Sequence, residues 1–202
     1  MRALLISGEF PPMQGGVGDF TACLARSLSS SGCSVTVFTE MAAVSGRAQW
    51  PFDVWASARG WGWRDLLLLR RLLPRFDVVN LQYQAAAYGM RAPVHLLPWL
   101  SRWCRVPLVT TFHDLRPPYL FPKAGGLRLQ SVRLLLRESP LTILTNEEDL
   151  ASAEALAPDG ERRLVRIGSN ITPVRYSETA KLEWRRRHGV PRDSALLCYF
   201  GF

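Results

Sequence analysis

With 202 residues, 48% of them hydrophobic and 21% charged, the chain has the composition of a folded globular protein, which excludes a disordered or collagen-like polymer. The 25 Lys and Arg residues outnumber 17 Asp and Glu to leave a formal charge of +8, a surplus that favours phosphates, acidic membrane or nucleic acid as partners without choosing among them. No apolar run approaches the roughly 18 residues of a membrane span, and Cys23, Cys33, Cys104 and Cys198 lack C-x-x-C or zinc spacing, so they read as reduced, mostly buried thiols of a cytosolic protein.

Short apolar runs alternate with segments of helical period along the chain. The opening run Met1 to Ile6 is too short for a signal-peptide core, and residues 3–6 read as a first strand. Residues 17–31 read as a helix with Val17, Phe20, Leu24 and Leu28 on one face and Gly32 as its stop. Strands are expected at 34–39 and, weakly, at 52–57; a helix at 63–73 ends at Pro74. Then come a strand at 77–82, a helix at 94–104 that Pro98 bends or delays, a strand at 107–112, a helix at 127–138 and a strand at 141–144. Thr145-Asn146-Glu147-Glu148 fits a capping box with Thr145 as the cap of a helix running to about residue 157, and residues 163–167 form a further strand. This alternation predicts an α/β fold: a doubly wound, Rossmann-like, mostly parallel sheet with helices on both faces.

The tail breaks the rhythm. Residues 168–176 read as a connector, 177–188 as a helix capped by Ser177, and 195–200 as a buried strand with no helix after it. The expected division is a domain over 1–170, followed over 171–202 by a linker and the first helix and strand of an incomplete second domain.

In a doubly wound sheet, ligands bind beyond the carboxyl ends of the strands. The first connection there holds Gly15-Gly16 just before a helix, where free amides and the dipole favour an anion. The run lacks the third glycine of a dinucleotide fingerprint and the Gly-Lys-Ser/Thr of a P-loop, and it reads equally as a Gly-rich turn. Asp19 in the first helical turn would repel a phosphate on its own side. At the same edge, Thr111-Phe112-His113-Asp114 ends a strand, offering either a hydrogen-bonding histidine or a structurally pinned one. His95 and His188 lack ligand spacing and read as structural. In the run from Asn80 to Gln84, alternating polar residues suit either a cleft or a half-exposed strand end. The tryptophans Trp50, Trp55, Trp61 and Trp63, the leucines 66–69 and Arg70, Arg71 and Arg75 mark either a membrane-surface helix or a core helix with a basic rim. Arg128, Arg133 and Arg137 read as a solvated helix face, and no nucleic-acid signature interleaves with them.

Pro11-Pro12 followed by Gly15-Gly16-Val17-Gly18, a helix, Gly32 and a Val-x-Val-x-Thr strand resembles the N-terminal domain of family-four retaining glycosyltransferases of the GT-B fold. The run DVVNLQYQ from Asp77, the strand-end His113-Asp114, the Thr145-Asn146-Glu147 helix start, the turn Ile167-Gly168-Ser169-Asn170-Ile171 and the run Tyr199-Phe200-Gly201 at the opening of a donor domain fit the same pattern in the same order. The resemblance implies retaining transfer of a sugar, of the hexosyltransferase type, from a nucleotide-sugar donor to the hydroxyl of a saccharide or lipid-linked acceptor in carbohydrate biosynthesis. It implies Gly15 and Gly16 at the donor diphosphate and His113 as the catalytic residue beside the donor sugar. Gln82, Tyr83, Asp114, Asn146 and Glu147 become acceptor or cleft candidates. No metal and no cofactor are expected, nor nucleic acid. A cytoplasmic location, with peripheral contact at the inner membrane surface, follows. The family's Arg/Lys pair and its spaced glutamates on the donor domain would lie after Phe202, so the chain alone is expected to be inactive. The rival readings are a GT-B nucleotide-sugar epimerase and a non-catalytic binding or scaffold protein of the same fold.

Overall fold

The computed structural model describes residues 1–45, 49–115, 125–170 and 173–199. The chain divides into two compact units, Met1–Asn170 and Ile171–Phe202.

The first unit alternates strand and helix: β1 (Arg2–Ser7), α1 (Gly16–Ser30), β2 (Ser34–Glu40), β3 (Asp53–Ala58), α2 (Trp63–Leu72), β4 (Val78–Tyr83), α3 (Leu97–Cys104), β5 (Leu108–Phe112), α4 (Gly125–Glu138), β6 (Leu141–Leu144), α5 (Glu147–Leu156) and β7 (Arg162–Leu164). The seven strands form one sheet in the order β3-β2-β1-β4-β5-β6-β7, with every neighbouring pair parallel. The expected doubly wound α/β architecture is therefore present. Strand order reverses between β1 and β4, so connections diverge there and leave a crevice at the carboxyl ends of the strands.

A strand covered on both faces reads as a near-continuous apolar run. β1 shows why its sequence is a continuous apolar run: Leu4 and Ile6 enter the core beneath α2, α3 and α4, while Leu5 enters a smaller core with Ala22 and Ala25 of α1. The weak reading at 52–57 is the edge strand β3. The last strand is shorter than expected, 162–164 rather than 163–167. Gly32, at φ +85°, supplies the left-handed residue that closes α1. Pro98 delays α3, which follows a 3-10 turn over Ala92–Leu96.

Several expectations are corrected. The buried face of α1 is Val17, Gly18, Thr21, Ala22 and Ala25; small residues let the helix lie close to the sheet, and Phe20 and Leu24 are left half-buried. The cap of α5 is Asn146, not Thr145: Asn146 Oδ1 accepts from Asp149 N–H at 2.7 Å, and the Thr145 hydroxyl donates to Phe112 O. The cysteines are not mostly buried, since Cys23 and Cys198 are exposed and Cys33 and Cys104 half-buried. Of the leucine run, only Leu69 is fully buried and Leu67 is exposed; Trp61 is buried while Trp63 is exposed. Arg133 and Arg137 are exposed, and the Arg128 side chain lies outside the described residues.

The second unit contains α6 (Glu178–Arg187), where Ser177 Oγ accepts from Ala180 N–H at 3.1 Å as expected of a cap. Residues 195–199 form no strand, and Leu197 and Tyr199 are exposed. A strand requires a hydrogen-bonding neighbour, and among the described residues none pairs with this segment. Phe200 to Phe202, and Ile171 of the expected interdomain turn, lie outside the described residues.

Candidate active site

The loop from β1 turns back onto its own strand end. Gly15 is the N-cap of α1 and has no side chain to offer, so the first-turn amides need an acceptor from elsewhere. Glu9 provides it: Oε1 accepts from Val17 N–H at 3.0 Å and from Gly18 N–H at 3.1 Å. A carboxylate is well placed at the positive end of a helix. Gly15 is the residue against which this carboxylate packs, and a Cβ there would fall on it. Gly16 differs, because a Cβ at Gly16 meets nothing within 4 Å. Neither residue has a left-handed backbone; Gly15 is extended at φ 167°. Close approach, not φ, requires glycine at 15. The carboxylate at these amides is Glu9 rather than Asp19. Sequence reasoning missed it because the contact depends on the loop folding back across eight residues. The available signal was an acidic side chain at a strand end facing a helix whose cap is glycine.

His113 follows β5 directly. Its N–H donates to Tyr83 O at 3.0 Å, which continues the β4–β5 ladder by one residue. The ring sits edge-on to Phe20 of α1, centroids 4.9 Å apart, and its Nε2 lies 2.8 Å from Gln82 Oε1. Gln82 is 0% exposed, and its Nε2 donates to Asn80 Oδ1. Asn80 Nδ2 donates to Val109 O at 3.1 Å and to Thr111 Oγ1 at 3.0 Å. Burial lowers the His113 pKa to about 4. At neutral pH the ring is uncharged, so it offers hydrogen bonding and not a positive charge.

These elements frame a cleft of about 620 Å³, a volume suited to a small ligand. Gly16, Val17, Phe20 and Leu24 of α1, Gln84 after β4 and His113 after β5 line it, with residues 167–170 after β7. Its described lining holds no Lys or Arg. Of the expected site residues, Gly16 and His113 reach the cleft. Gly15 backs Glu9, and Gln82 lies buried behind His113. Tyr83 is on the opposite face of β4, in the main core, its hydroxyl 2.8 Å from His95 Nε2. Strand alternation explains the difference: 80 and 82 share one face and 83 takes the other. Gln84, beyond the strand, is the β4 residue in the cleft. Asp114 is exposed and outside the lining. Asn146 is held in the α5 cap and Glu147 pairs with Arg166, so neither lines the cleft. Among the described residues, no three His, Cys, Asp or Glu side chains converge on a point that would hold a metal, and no helix is long and apolar enough to cross a membrane.

The family profile described as glycosyl transferase 4-like domain matches residues 15–168. No curated protein matches the chain. Among solved structures, sucrose-phosphate synthase from Thermosynechococcus elongatus is similar at 16% identity and a TM-score of 0.63, over 95% of this chain and 53% of that one. HepE of Anabaena, solved in complex with UDP, is similar at 16% identity and a TM-score of 0.64, over 94% of this chain and 50% of that one. At such identities the likeness is one of fold. The chain spans about half the length of these structures.

Proposed function

The chain belongs to the glycosyl transferase 4-like domain family, and from that premise we propose that it is the acceptor-side half of a retaining, nucleotide-sugar-dependent hexosyltransferase of the GT-B type. The observation that carries this reading is the cleft at the strand-order reversal, where Gly16 and His113 meet across the carboxyl edge of the sheet. Glu9 holds the Val17 and Gly18 amides and leaves that of Gly16, the glycine that lines the cleft, for a diphosphate. UDP in the HepE structure supports a nucleoside diphosphate as the leaving group. As the glycosidic bond to that group breaks, its oxygens gain charge, and amides already aimed at them stabilise the transition state. No metal or cofactor takes part in the proposed transfer. Retention of configuration and the family-four assignment rest on the motif resemblance.

The acceptor is a saccharide or a lipid-linked saccharide, met at a cytoplasmic membrane surface. α2 and α3 pack together and expose Trp63, Leu67, Trp99 and Trp103 among Arg64, Arg70, Arg71 and Arg102, with the Arg70 guanidinium 4.3 Å from the Trp103 ring centroid. Exposed indoles beside guanidinium groups suit an anionic interface. Co-sedimentation with anionic but not neutral vesicles checks that part. The transfer itself is tested on the gene product as its cell makes it. A panel of nucleotide sugars should yield one transferred sugar with the donor's anomeric configuration in the first product formed. Inverted product would remove retention, and hydrolysis or epimerisation without transfer would remove the transferase reading.

A further inference from the structure

The buried amides behind His113 have a fixed direction that can be read from one backbone carbonyl. Val109 O can only accept, so the Asn80 side chain must turn its Nδ2 toward it. Asn80 then presents Oδ1 to Gln82, which answers with its own Nε2. That leaves Gln82 Oε1 toward the imidazole, and an oxygen there requires a proton on His113 Nε2. The other two histidines are fixed the opposite way. His95 Nδ1 is 3.1 Å from Ala92 O and His188 Nδ1 is 2.8 Å from Trp184 O, so in each the proton is on Nδ1.

We propose that Asn80 and Gln82 are positioning residues that fix His113 as its Nε2–H tautomer, so that the nitrogen left for a ligand is Nδ1, a hydrogen-bond acceptor, and the group it receives is a hydroxyl. His113 lines the cleft, and its Nδ1 makes no hydrogen bond to the described residues. A phosphate oxygen, which has no proton to give when ionised, is a poor partner for that nitrogen; a sugar hydroxyl is a good one. The placement of a sugar at His113 rests on the glycosyltransferase reading, whereas the tautomer does not.

The two parts are therefore tested separately. The first uses the 202-residue chain labelled with 15N-histidine and long-range 1H–15N correlation spectra, in which three histidines are easily told apart. The expected spectrum has one neutral Nε2–H ring, His113, with a slowly exchanging proton, and two Nδ1–H rings. In Gln82→Met the Nε2–H proton loses its acceptor and exchanges fast with water. In Asn80→Leu the Gln82 amide is free to turn over, and an Nδ1–H population of His113 appears. An Nδ1–H ring at His113 in the unmodified chain overturns the proposal, as does an unchanged His113 signal in both variants. The second part uses transfer by the gene product. Gln82→Met should lower kcat/KM by about tenfold or more through misplacement of the ring, and Gln82→Met combined with His113→Ala should be no worse than His113→Ala alone. Losses that multiply would mean that Gln82 does not act through His113. Absence of any transfer would sink the enzymatic reading while the spectra still decide the tautomer.

Discussion

His113 and His95 are bound to adjacent residues of one strand and have opposite fates. Gln82 and Tyr83 are neighbours on β4, and the period of two sends them to opposite faces of the sheet. Gln82 holds His113 on the α1 side; Tyr83 holds His95 on the side of the main core. Burial lowers the pKa of both rings, so neither charge state nor enclosure separates them. What separates them is the second nitrogen. His95 has both nitrogens occupied, by Tyr83 Oη and Ala92 O, whereas His113 has one held and one open beside the cleft. A histidine with every valence satisfied inside the protein contributes to the fold, and one with a spare valence at a cleft can meet a ligand.

The comparison breaks most readily by truncating each ring. His113→Ala is expected to lower turnover of the gene product by about a hundredfold to a thousandfold, the effect of losing one directed hydrogen bond in a transition state, with the melting temperature nearly unchanged. His95→Ala should do the reverse. It removes the ring that Tyr83 Oη and Ala92 O both bind and the packing of that ring against the buried Tyr83, a loss of roughly 1–3 kcal/mol, while turnover per folded molecule stays near that of the unmodified protein. Parallel losses of stability and turnover in both variants would erase the distinction.

A pH series sharpens it. In the unfolded chain His113 takes up a proton near its ordinary pKa of 6.5, but in the folded protein only near 4. Between these values the unfolded state binds more protons, so stability falls as pH drops from about 6.5 to about 4 and levels off below. The loss over that range is on the order of 3 kcal/mol. The lowered pKa of His95 adds a loss of the same sign. Urea unfolding at a series of pH values should show this slope, and His113→Leu should flatten it. A slope unchanged in His113→Leu would mean that the ring is hydrated and titrates normally in the folded state.

Much of this arrangement is legible in the sequence, for identifiable reasons. Short apolar runs such as 3–6, bounded by turn residues, suit strands covered on both faces, and their alternation with helical segments points to a parallel sheet. His113 is conspicuous because a polar pair directly ends an apolar strand. Even the faces of β4 are written in the pattern Asn80, Gln82, Gln84, although taking Tyr83 with Gln82 ignored that period. Contacts made across a loop are not legible. Glu9 reaching Val17 depends on the path of residues 10–15, which no periodicity encodes. Asn146 carries the same polar signature whether it caps a helix or faces a ligand. The run 195–200 has strand composition, but composition supplies no partner for its hydrogen bonds.

The same division between fold and function runs between two adjacent glycines. A Cβ at residue 15 would displace the Glu9 carboxylate from the Val17 and Gly18 amides. Gly15→Ala should therefore destabilise the protein by roughly 1–3 kcal/mol, the penalty for unmaking hydrogen bonds to a charged group, as read by chemical denaturation. Full stability in Gly15→Ala would mean that Glu9 is not what holds this helix end.

Gly16 should show the smallest effect on folding. It is the first residue of α1, its φ is not positive, and its Cβ would enter open space on the cleft side. Replacing glycine by alanine within a helix is favourable by up to about 1 kcal/mol in the interior and less at the first position, so Gly16→Ala should leave stability within about 0.5 kcal/mol of the unmodified chain. Its effect belongs to binding. If the Gly16 amide approaches a diphosphate, a branched side chain there holds the phosphate off, and Gly16→Val in the gene product should weaken the cognate nucleoside diphosphate by about tenfold, equivalent to roughly 1.4 kcal/mol. Calorimetric titration with that nucleotide measures this directly. Unchanged affinity together with unchanged turnover would reduce the Gly15-Gly16 loop to a turn that seats Glu9, and the anion would have to be met elsewhere on the cleft.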